Sequence, residues 1–591
     1  MPMVALAAST AVLLFNGTIR TNTRSLDAVV PALCFDSTIK ATGTLDAVAA
    51  ACPGARRVDL GGATAVPGLT DSHAHLMLEA ARRRKADLSS CEDAAACASV
   101  LEKWGAAHPL QYWVQGFGFD QTAWQGGRWP TRHDLDVIRR PARADHISGH
   151  AVWVNSAALR AANITRATKA PPGGTIVRDA LGRPTGILTD DAMDLIDAVV
   201  PPPRASAVDA SFQAVLEACA AAGLTGVHDL AALPGDVDYY LSRADQLTLR
   251  LNVYRDAASH EQIPVVGSGE SKLVRVRGAK FFCDGAMGSW TAAMLKPYSD
   301  RPTTGTLIYN TSDLLAGVKK WKAAGYQISA HAIGDAANRQ ILDVYEQAGV
   351  APSDRLRVEH VQILSEQDLP RFAKLGVIPS MQTTHCASDL GYADARLGAR
   401  ANLSYAWRAL LDSGVDVLPL GSDFPTAGTI PPLLGLHAGI TRERPDGTPK
   451  GGWHPEERLT PLEALRGYTH DSAYAAFREN ELGALDPGYQ ADITLLAADP
   501  VTCDPARLPD LAVLGTVVGG DVVFAAPRGP LAGLARPKRA FAGPRLSERA
   551  LLAAAAWERR LVADTAEDRA WARPWEEAMH APARHRRGKA M

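Results

Sequence analysis

The stretch ATAVPGLTDSHAHL, residues 63–76, begins with an apolar run typical of a buried strand and ends in closely spaced polar side chains. In an extended chain, side chains two positions apart point to the same face, so Asp71, His73 and His75 are expected to aim at one spot. A histidine pair with this spacing is a weak metal signature by itself, and a surface or core pair is the alternative. Further ligands must therefore come from elsewhere in the chain.

From about residue 205 to 430, short β-rich runs alternate with Ala- and Leu-rich stretches of helical character. Such alternation indicates parallel βαβ units. With residues 63–76 counted first, there are eight strand candidates, the number that closes a (β/α)8 barrel. The sequence therefore predicts an α/β fold built on a TIM barrel. The later candidates are LTGVHDL (224–230), LTLRLNVYRD (247–256), VRVRGAKFFCDG (274–285), YQISAHAIGD (326–335), RLRVEHVQIL (355–364), GVIPSMQ (376–382) and VDVLPLGSDFP (415–425).

The segments around these strands predict further domains. Residues 87–205 separate the first two strands of a barrel that spans 67–480, and this insertion is expected on the catalytic face as a lid or substrate wall. Residues 10–66 and 481–526 are strand-like with Gly turns, which predicts one small β-sandwich made from both chain ends. Residues 531–591 are rich in Ala, Arg and Trp and predict a helical, basic C-terminal extension.

Composition limits the classes of partner. The 591 residues carry a net charge of −2 and are 47% hydrophobic, as in ordinary soluble globular proteins. The near-neutral balance gives no support for nucleic-acid binding, and no stretch reaches the roughly 18 apolar residues of a membrane span. The eight cysteines are scattered singly without a CxxC pair, which predicts reduced thiols in a cytoplasmic protein.

Polar side chains recur where the later predicted strands end. The C-terminal ends of barrel strands meet at one mouth, so these side chains are expected to be neighbours of His73 and His75. Four histidines, a carboxylate and a lysine match the ligand types of a site for two divalent ions. Taken singly, each has a structural alternative, such as a core histidine, a lysine–aspartate ion pair or a helix cap. The side chains are Lys280, Asp284, His331, His360 and Asp423.

A second group of residues could contribute to catalysis or to a substrate pocket. His385 lies just past the seventh predicted strand, where a plain loop histidine is equally expected, and His228 in the second strand is a weaker candidate. Polar and aromatic residues of the insertion could shape a pocket, although aromatic residues there more often serve packing. The insertion residues considered are Trp113, Trp124, His150, Trp153 and Asn155.

Several motifs, in order and spacing, resemble the amidohydrolase superfamily, specifically the amidohydrolase-3 (YtcJ-like) family, related to N-substituted formamide deformylase. The resemblance covers residues from about 10 to 525 and leaves the tail after about 530 without a counterpart. The matching motifs are VDLGGATAVPGLTDSHAHL, SGHAVWVNSAAL, GRPTGIL, KFFCDGAMGSWTAAML, SAHAIGDAANRQILD, RVEHVQIL, LGSDFPT, LTPLEALRGYTHDSAYAAF and GALDPGYQADITLLAADP.

The resemblance implies a metal site in which one ion is held by His73, His75 and Asp423, and a second by the remaining histidines. Family members vary between one and two ions, and in binuclear members the lysine, here Lys280, bridges both as a carbamate. Zinc is the expected metal, although His and Asp ligands also accept manganese, iron or nickel. The full implied ligand set is His73, His75, Lys280, His331, His360 and Asp423.

The resemblance also implies an activity, that of a hydrolase of amide, formamide or cyclic amide C–N bonds. Asp423 would act as the base, His385 as a second catalytic group, and Asp284 would contact a small-molecule substrate beside the insertion residues. A homodimer is the implied assembly. Two alternatives stay open: an ester or lactone hydrolase or an isomerase on the same scaffold, and a catalytically silent barrel that acts as a binding protein.

Overall fold

In a computed structural model, the chain folds into two compact units. The first combines residues up to 80 with those from 205 onward, and the second begins at residue 81 and ends at 204. The extension predicted over 531–591 lies outside the described residues from position 536 on. The structure describes residues 11–21, 27–147, 149–260 and 262–535.

The strands account for three sheets, and the helices are mostly short. None of the helices in the described stretches is both long and apolar enough to cross a bilayer. In chain order the strands are β1 (Val12–Arg20), β2 (Val29–Phe35), β3 (Ile39–Gly43), β4 (Arg56–Asp59), β5 (Thr64–Pro67), β6 (Leu69–Ala74), β7 (Ala86–Asp87), β8 (Val114–Phe119), β9 (Ala142–His146), β10 (Ala151–Val154), β11 (Gly174–Arg178), β12 (Pro184–Asp190), β13 (Leu224–Ala232), β14 (Arg250–Asp256), β15 (Val274–Phe282), β16 (Gln327–Ala332), β17 (Arg357–His360), β18 (Ile378–Gln382), β19 (Leu420–Gly421), β20 (Ile493–Leu496), β21 (Val513–Val518) and β22 (Asp521–Ala525). The α-helices are α1 (Leu45–Ala51), α2 (Leu76–Arg82), α3 (Ala94–Ala107), α4 (Ser156–Ala161), α5 (Asp194–Asp197), α6 (Ala205–Ala221), α7 (Pro234–Ser242), α8 (Thr311–Ala323), α9 (Asp335–Gln347), α10 (Leu369–Leu375), α11 (Thr383–Asp389), α12 (Ala393–Leu397), α13 (Trp407–Asp412), α14 (Pro432–Thr441), α15 (Pro461–Gly467) and α16 (His470–Ala475).

The first unit contains the predicted barrel. Its eight strands follow the order β6-β13-β14-β15-β16-β17-β18-β19, and every neighbouring pair is parallel. Ala74 forms a parallel bridge with Phe424, which brings the first strand beside the segment that follows the last one. The TIM-barrel fold class predicted from the sequence is confirmed, and all eight predicted runs supply a barrel strand.

The stretch 63–76 forms two strands instead of the single one that its apolar run predicts. Residues up to Pro67 pair with β20 in a different sheet, and the chain enters the barrel from Leu69. Pro67 lacks an N–H for a continuous ladder, and Gly68 passes so close to β13 that an added Cβ would lie 2.2 Å from Thr225 Oγ1. The Pro-Gly pair therefore marks the passage from one sheet to the other.

The two chain ends share one sheet, as the sequence predicts. Strands from the C-terminal side pair with β5, and β5 pairs with β1, giving the order β22-β21-β20-β5-β1-β2-β3 with β4 also on β1. Helix α1 packs against one face through Val48, and a larger apolar core that includes Leu14, Ile493 and Leu531 covers the other. The described strands thus form one continuous hydrogen-bonded sheet, where the sequence suggested a sandwich.

A disulfide joins Cys34 in β2 to Cys52 at the end of α1, so the expectation that all eight cysteines are reduced is wrong for this pair. The two residues lie 18 positions apart and meet because α1 folds back onto the sheet beside Leu13 and Val48. The remaining six cysteines are thiols. No local sequence motif predicts this disulfide, because the contact depends on how α1 packs against the sheet.

Loss of this disulfide should destabilise the first unit. Closing a loop of this length in the unfolded chain contributes about 3 kcal/mol. Cys34→Ser together with Cys52→Ser should therefore lower the free energy of unfolding by roughly that amount in urea denaturation, whereas Cys503→Ser should leave it nearly unchanged. Equal stability of oxidised and dithiothreitol-treated wild-type protein would contradict the assignment.

The second unit has its own sheet and cores. Its strands follow the order β11-β12-β10-β9-β8-β7, parallel from β7 to β9 and antiparallel beyond. Apolar side chains fill one core between α3 and the sheet and another beside α4. The predicted insertion is thus a compact unit, and its role as a lid stays a prediction.

Candidate metal centre

Three buried side chains at the C-terminal ends of barrel strands bring their donor atoms together. His73 lies in β6, His360 ends β17, and Asp423 follows β19. One atom of each histidine ring and one carboxylate oxygen of Asp423 all lie within 4.8 Å of one another. A compact set of nitrogen and oxygen donors of this kind is typical of sites for divalent metals.

Asp423 lies at the middle of the cluster. Its Oδ1 is 3.0 Å from His75 Nε2 and 3.6 Å from His73 Nε2, and its Oδ2 is 3.6 Å from His385 Nε2. Burial alone would raise the pKa of Asp423, but its contact with His75 and the other nearby imidazoles outweigh it and hold the pKa well below its usual range. The carboxyl group is therefore ionised at neutral pH.

The remaining predicted histidine, His331, extends the cluster on the side of β16. Its ring centroid lies 4.5 Å from that of His360, which in turn lies 4.8 Å from that of His73. The His73 and His75 centroids are 5.4 Å apart. The structure thus brings together the four histidines and the aspartate that the strand ends indicated, although their metal-binding role stays a prediction.

The four histidines share one hydrogen-bonding pattern. Each Nδ1 lies within 3.0 Å of an oxygen that can only accept, so Nδ1 carries the proton and Nε2 keeps its lone pair. Burial, reinforced by the charge of Lys280, lowers the pKa of His73 to about 3, which keeps this ring neutral. Outer partners of this type orient metal-bound histidines in proteins. The pairs are His73 with Glu359 at 2.8 Å, His75 with the Leu230 carbonyl at 2.8 Å, His331 with Asp284 at 3.0 Å, and His360 with Gln382 at 2.8 Å.

His385 shows the opposite pattern. Gln362 donates its amide N–H to His385 Nδ1 over 3.0 Å, so a neutral ring carries its proton on Nε2. This buried Nε2 has no hydrogen-bond partner within the described ranges. His385 is therefore arranged to donate a proton or a hydrogen bond at the cluster, and is not arranged to bind a metal.

Lys280 projects from β15 into the buried interior. Its Nζ makes no hydrogen bond to any described residue and lies 5.3 Å from the Phe282 ring centroid. Burial lowers the pKa of Lys280 to about 8, although the charges of Glu359 and Asp423 act in the opposite direction. A neutral amine is thus accessible near physiological pH.

Asp284 contacts groups of the protein itself, whereas the sequence predicts that it contacts a substrate. Its carboxylate accepts hydrogen bonds from the backbone N–H groups of Ala293, Ile333 and Gly334, and from His331 Nδ1. Strand β15 ends at Phe282, so the alternation that placed Asp284 beside Lys280 stops before it. Asp284 positions His331 and forms no ion pair with Lys280 among the described residues, and its contact with a substrate stays a prediction.

Comparison with known proteins identifies the family. A sequence profile of the Amidohydrolase family matches residues 56–524, which is most of the chain. The chain belongs to the Amidohydrolase family.

Among curated relatives of this amidohydrolase, the putative amidohydrolase YtcJ of Bacillus subtilis is 32% identical over 511 residues, covering 83% of this chain and 94% of that protein. N-substituted formamide deformylase of Arthrobacter pascens is 29% identical, covering 80% and 90%. Among solved structures, an uncharacterized metal-dependent hydrolase of Pyrococcus furiosus matches with a TM-score of 0.71 and 26% identity, over 83% of this chain and 100% of that one. Together with the histidine–aspartate cluster, these matches indicate a hydrolase with a divalent metal.

Asp71 does not join the cluster of this amidohydrolase, although it shares a strand face with His73 in the sequence pattern. Its Oδ1 accepts hydrogen bonds from the backbone N–H groups of His73 and Ser422, and its Oδ2 accepts from the Ser422 hydroxyl. Burial raises the pKa of Asp71 to about 7. The residue therefore ties the first barrel strand to the last.

Two of the insertion residues have structural roles within the second unit. Trp113 is buried in the core beside α4, and Asn155 caps α4 while bonding to the backbone of Ile138, Arg140 and Ala142. Every polar atom of the Asn155 side chain is used in contacts within the protein, and the substrate-binding role of both residues stays a prediction.

His150 differs from these two. It lies 3.2 Å from Asp190 and remains partly exposed. Its part in substrate binding stays a prediction. Trp124 and Trp153 lie in the core on the α3 side, as the packing alternative predicts.

A buried ion pair, which the polar pattern at the strand ends does not predict, lies beneath the cluster. Arg357 and Glu359, both fully buried, pair through Nε and Oε1 at 2.8 Å, and Glu359 Oε2 reaches His73. Ser329 donates a further hydrogen bond to Glu359 Oε1. The available signal was the oppositely charged pair spaced by two within a predicted barrel strand, because a buried strand carries inward charges only where they are paired.

The backbone at two cluster residues explains why strand alternation alone was insufficient. Regular alternation would place Glu359 and His360 on opposite faces, yet His73 contacts both. The backbone has φ values of +75° at His360 and +61° at Asp423, a region that costs about 1–3 kcal/mol for residues other than glycine. Strand β17 ends at His360, and the left-handed conformation turns its ring toward the mouth.

Proposed function

We propose that this protein is a metal-dependent hydrolase that uses water to cleave non-peptide C–N bonds of amides, formamides or cyclic amides. The observation that carries the proposal is the shared orientation of the four cluster histidines, each of which donates Nδ1–H outward. Family membership supports hydrolysis, and the similarity to a protein named N-substituted formamide deformylase supports the type of bond and makes formamides the first substrates to test.

The donor set fits a divalent cation. His75 Nε2 and Asp423 Oδ1 lie 3.0 Å apart, and two lone pairs at this separation attract only with a cation or a proton between them. We assign one ion to His73, His75 and Asp423, and a second to His331 and His360. Zinc is our first choice because imidazole and carboxylate are its usual ligands in catalytic sites.

A divalent metal held by these residues would make hydroxide available at neutral pH by lowering the pKa of water, and it would polarise the substrate carbonyl. Asp423, held ionised, accepts the proton of the attacking water at a carboxylate oxygen and returns it to the leaving nitrogen. His385 directs its Nε2–H at the developing negative oxygen of the former carbonyl. The C–N bond breaks, and a carboxylate and an amine are the products.

A substrate panel tests this proposal. Metal-reconstituted protein should hydrolyse N-substituted formamides, N-acyl amines or cyclic amides, and amine release should be measured against protein stripped with a chelator. Esters and lactones of matched shape serve as the comparison. Turnover of esters or lactones without any amide would overturn the assigned bond type, and no turnover of any hydrolysable compound by metal-loaded protein would favour a binding protein.

We propose that Lys280 bridges two ions as a carbamate. An ammonium group beside two divalent cations would be repelled, whereas the neutral amine can add CO2 with loss of one proton to give a bridging anion. Its burial and its lack of a hydrogen-bond partner in the described chain support this role.

Lys280→Ala should reduce the metal content from two ions per chain toward one, with partial recovery on addition of short carboxylic acids that replace the carbamate. Elemental analysis of reconstituted protein measures this content, and Lys322→Ala, which removes a half-exposed lysine paired with Asp354, is the matched control. Wild-type protein that binds a single ion in excess metal and bicarbonate would remove Lys280 from the ligand set.

A further inference from the structure

A cavity lies at the N-terminal end of the barrel, opposite the end that carries the histidine–aspartate cluster. The starts of β6, β13 and β14 line it, together with the chain that leads from α16 toward β20. Its water-accessible volume is about 30 Å³, and it is partly open to solvent. Three arginines face it, so its charge differs from that of the catalytic mouth. The arginines are Arg250, Arg275 and Arg478.

The carboxylates near this cavity compensate only part of the positive charge. Arg250 forms a two-point contact with Asp492, with distances of 2.6 and 2.9 Å. Arg275 and Arg478 share a single carboxylate, since both donate to Oε1 of Glu481, at 3.0 and 2.7 Å. Three guanidinium groups therefore face two carboxylates, which leaves one positive charge without a counterion in this group.

The shared carboxylate also leaves hydrogen-bond donors unused. Arg478 uses only Nε and Arg275 only one terminal nitrogen, so the other guanidinium nitrogens have no hydrogen-bond partner within the described chain. Arg478 is only 7% exposed as a residue, and because its unpaired nitrogens are not fully buried, they remain accessible to water or a small ligand in the cavity that it lines. Burial, together with repulsion by Arg478, lowers the pKa of Arg275, as expected for a cation that lacks its own counterion.

We propose that this cavity binds a small oxyanion, such as phosphate or a carboxylate, between Arg275 and Arg478. Planar guanidinium groups suit such anions because two parallel N–H groups meet two oxygens. The hydroxyl group of Thr70 also lines the cavity and can donate to a bound oxygen. Arg275 lies in β15 and Arg478 follows α16. The anion would therefore join the barrel to the segment that leads into β20, in the sheet shared by the two chain ends.

Anion binding should be measured on the full chain carrying His73→Asn and stripped of metal, so that phosphate cannot bind at the cluster. Titration calorimetry and thermal unfolding with phosphate and, separately, with acetate identify which oxyanion is held. Chloride at matched ionic strength controls for general screening. We expect a saturable rise of the unfolding temperature with an oxyanion and none with chloride.

Arg275→Gln should weaken oxyanion binding by about 10- to 100-fold, the loss expected for a hydrogen bond to a charged group. Arg277→Gln is the matched control, because this arginine lies in the same strand but pairs with Glu270. If Arg478→Gln also folds, it should show a similar loss. The proposal would be overturned if protein that retains Arg275 showed no saturable oxyanion binding, if chloride had an equal effect, or if Arg277→Gln lost as much binding as Arg275→Gln. Any of these results would show a cavity filled by water alone.

Discussion

His73→Asn should remove most of the bound metal and nearly all hydrolytic activity. The imidazole contributes a neutral nitrogen within the donor cluster, and asparagine cannot place an equivalent donor there. Loss of an outer partner of a metal ligand already costs about 10- to 100-fold in affinity or activity, so loss of the ligand itself should cost at least about 100-fold. Elemental analysis measures the bound metal, and the turnover of an amide that the substrate panel identifies measures the activity.

His437→Asn provides the matched control for this variant. His437 is also buried, but both of its ring nitrogens contact backbone carbonyls, those of Pro505 and Arg444. The His437→Asn variant should be less stable than wild-type protein but should bind the same amount of metal. Retained turnover in His73→Asn, or equal metal loss in both variants, would place the active site elsewhere.

Glu359→Gln should weaken metal binding and also destabilise the protein. The carboxylate orients His73 through Nδ1 and is the ion-pair partner of Arg357, and both charged side chains are fully buried. Removing one partner of a buried pair costs about 3–5 kcal/mol, because the other charge stays buried alone. Metal affinity should fall by about 10- to 100-fold, since glutamine keeps the shape but not the charge that orients the imidazole.

Urea denaturation of the metal-free protein and chelator competition separate these two effects. Ser329→Ala is the control, because it deletes one hydrogen bond to Glu359 and leaves the ion pair intact. It should cost about 0.5–1.5 kcal/mol. Unchanged metal affinity in a folded Glu359→Gln protein would show that this carboxylate does not orient His73 for metal binding.

The effect of Glu359→Gln on stability should also depend on pH. Burial would raise the pKa of Glu359, but the charge of Arg357 and the hydrogen bond with His73 hold it well below its usual range. A lowered native pKa contributes stability that is present above the ordinary value of about 4.3 and is lost as the pH falls below it. The stability difference between wild-type protein and Glu359→Gln should therefore stay nearly constant from pH 7 to about pH 5 and shrink as the pH falls below about 4.3.

Sequence patterns identified the barrel strands and the polar side chains at their ends because both depend on local order along the chain. Apolar runs alternate with helical stretches, and parallel strands place their C-terminal ends at one mouth. His331 and His360 illustrate this: they end neighbouring strands, and their rings lie 4.5 Å apart.

Other features depend on contacts that no local pattern encodes. The Cys34–Cys52 disulfide requires α1 to fold back on its sheet, and Asp284 turns to His331 because β15 has already ended. In the second unit, the sequence predicts that Asn155 can contact a substrate, but neighbouring backbone groups use all of its hydrogen-bonding capacity.

By itself the sequence determined the fold class and which residue types meet at the barrel mouth, because hydrophobic periodicity and strand order are properties of the chain. Tertiary structure alone decided the state of each imidazole. Glu359 accepts a hydrogen bond from His73 and so fixes the ring proton on Nδ1, whereas Gln362 donates to His385 Nδ1 and so leaves that ring's proton on Nε2. The partner of a ring nitrogen comes from another strand or turn, so its identity and direction exist only once the barrel has closed.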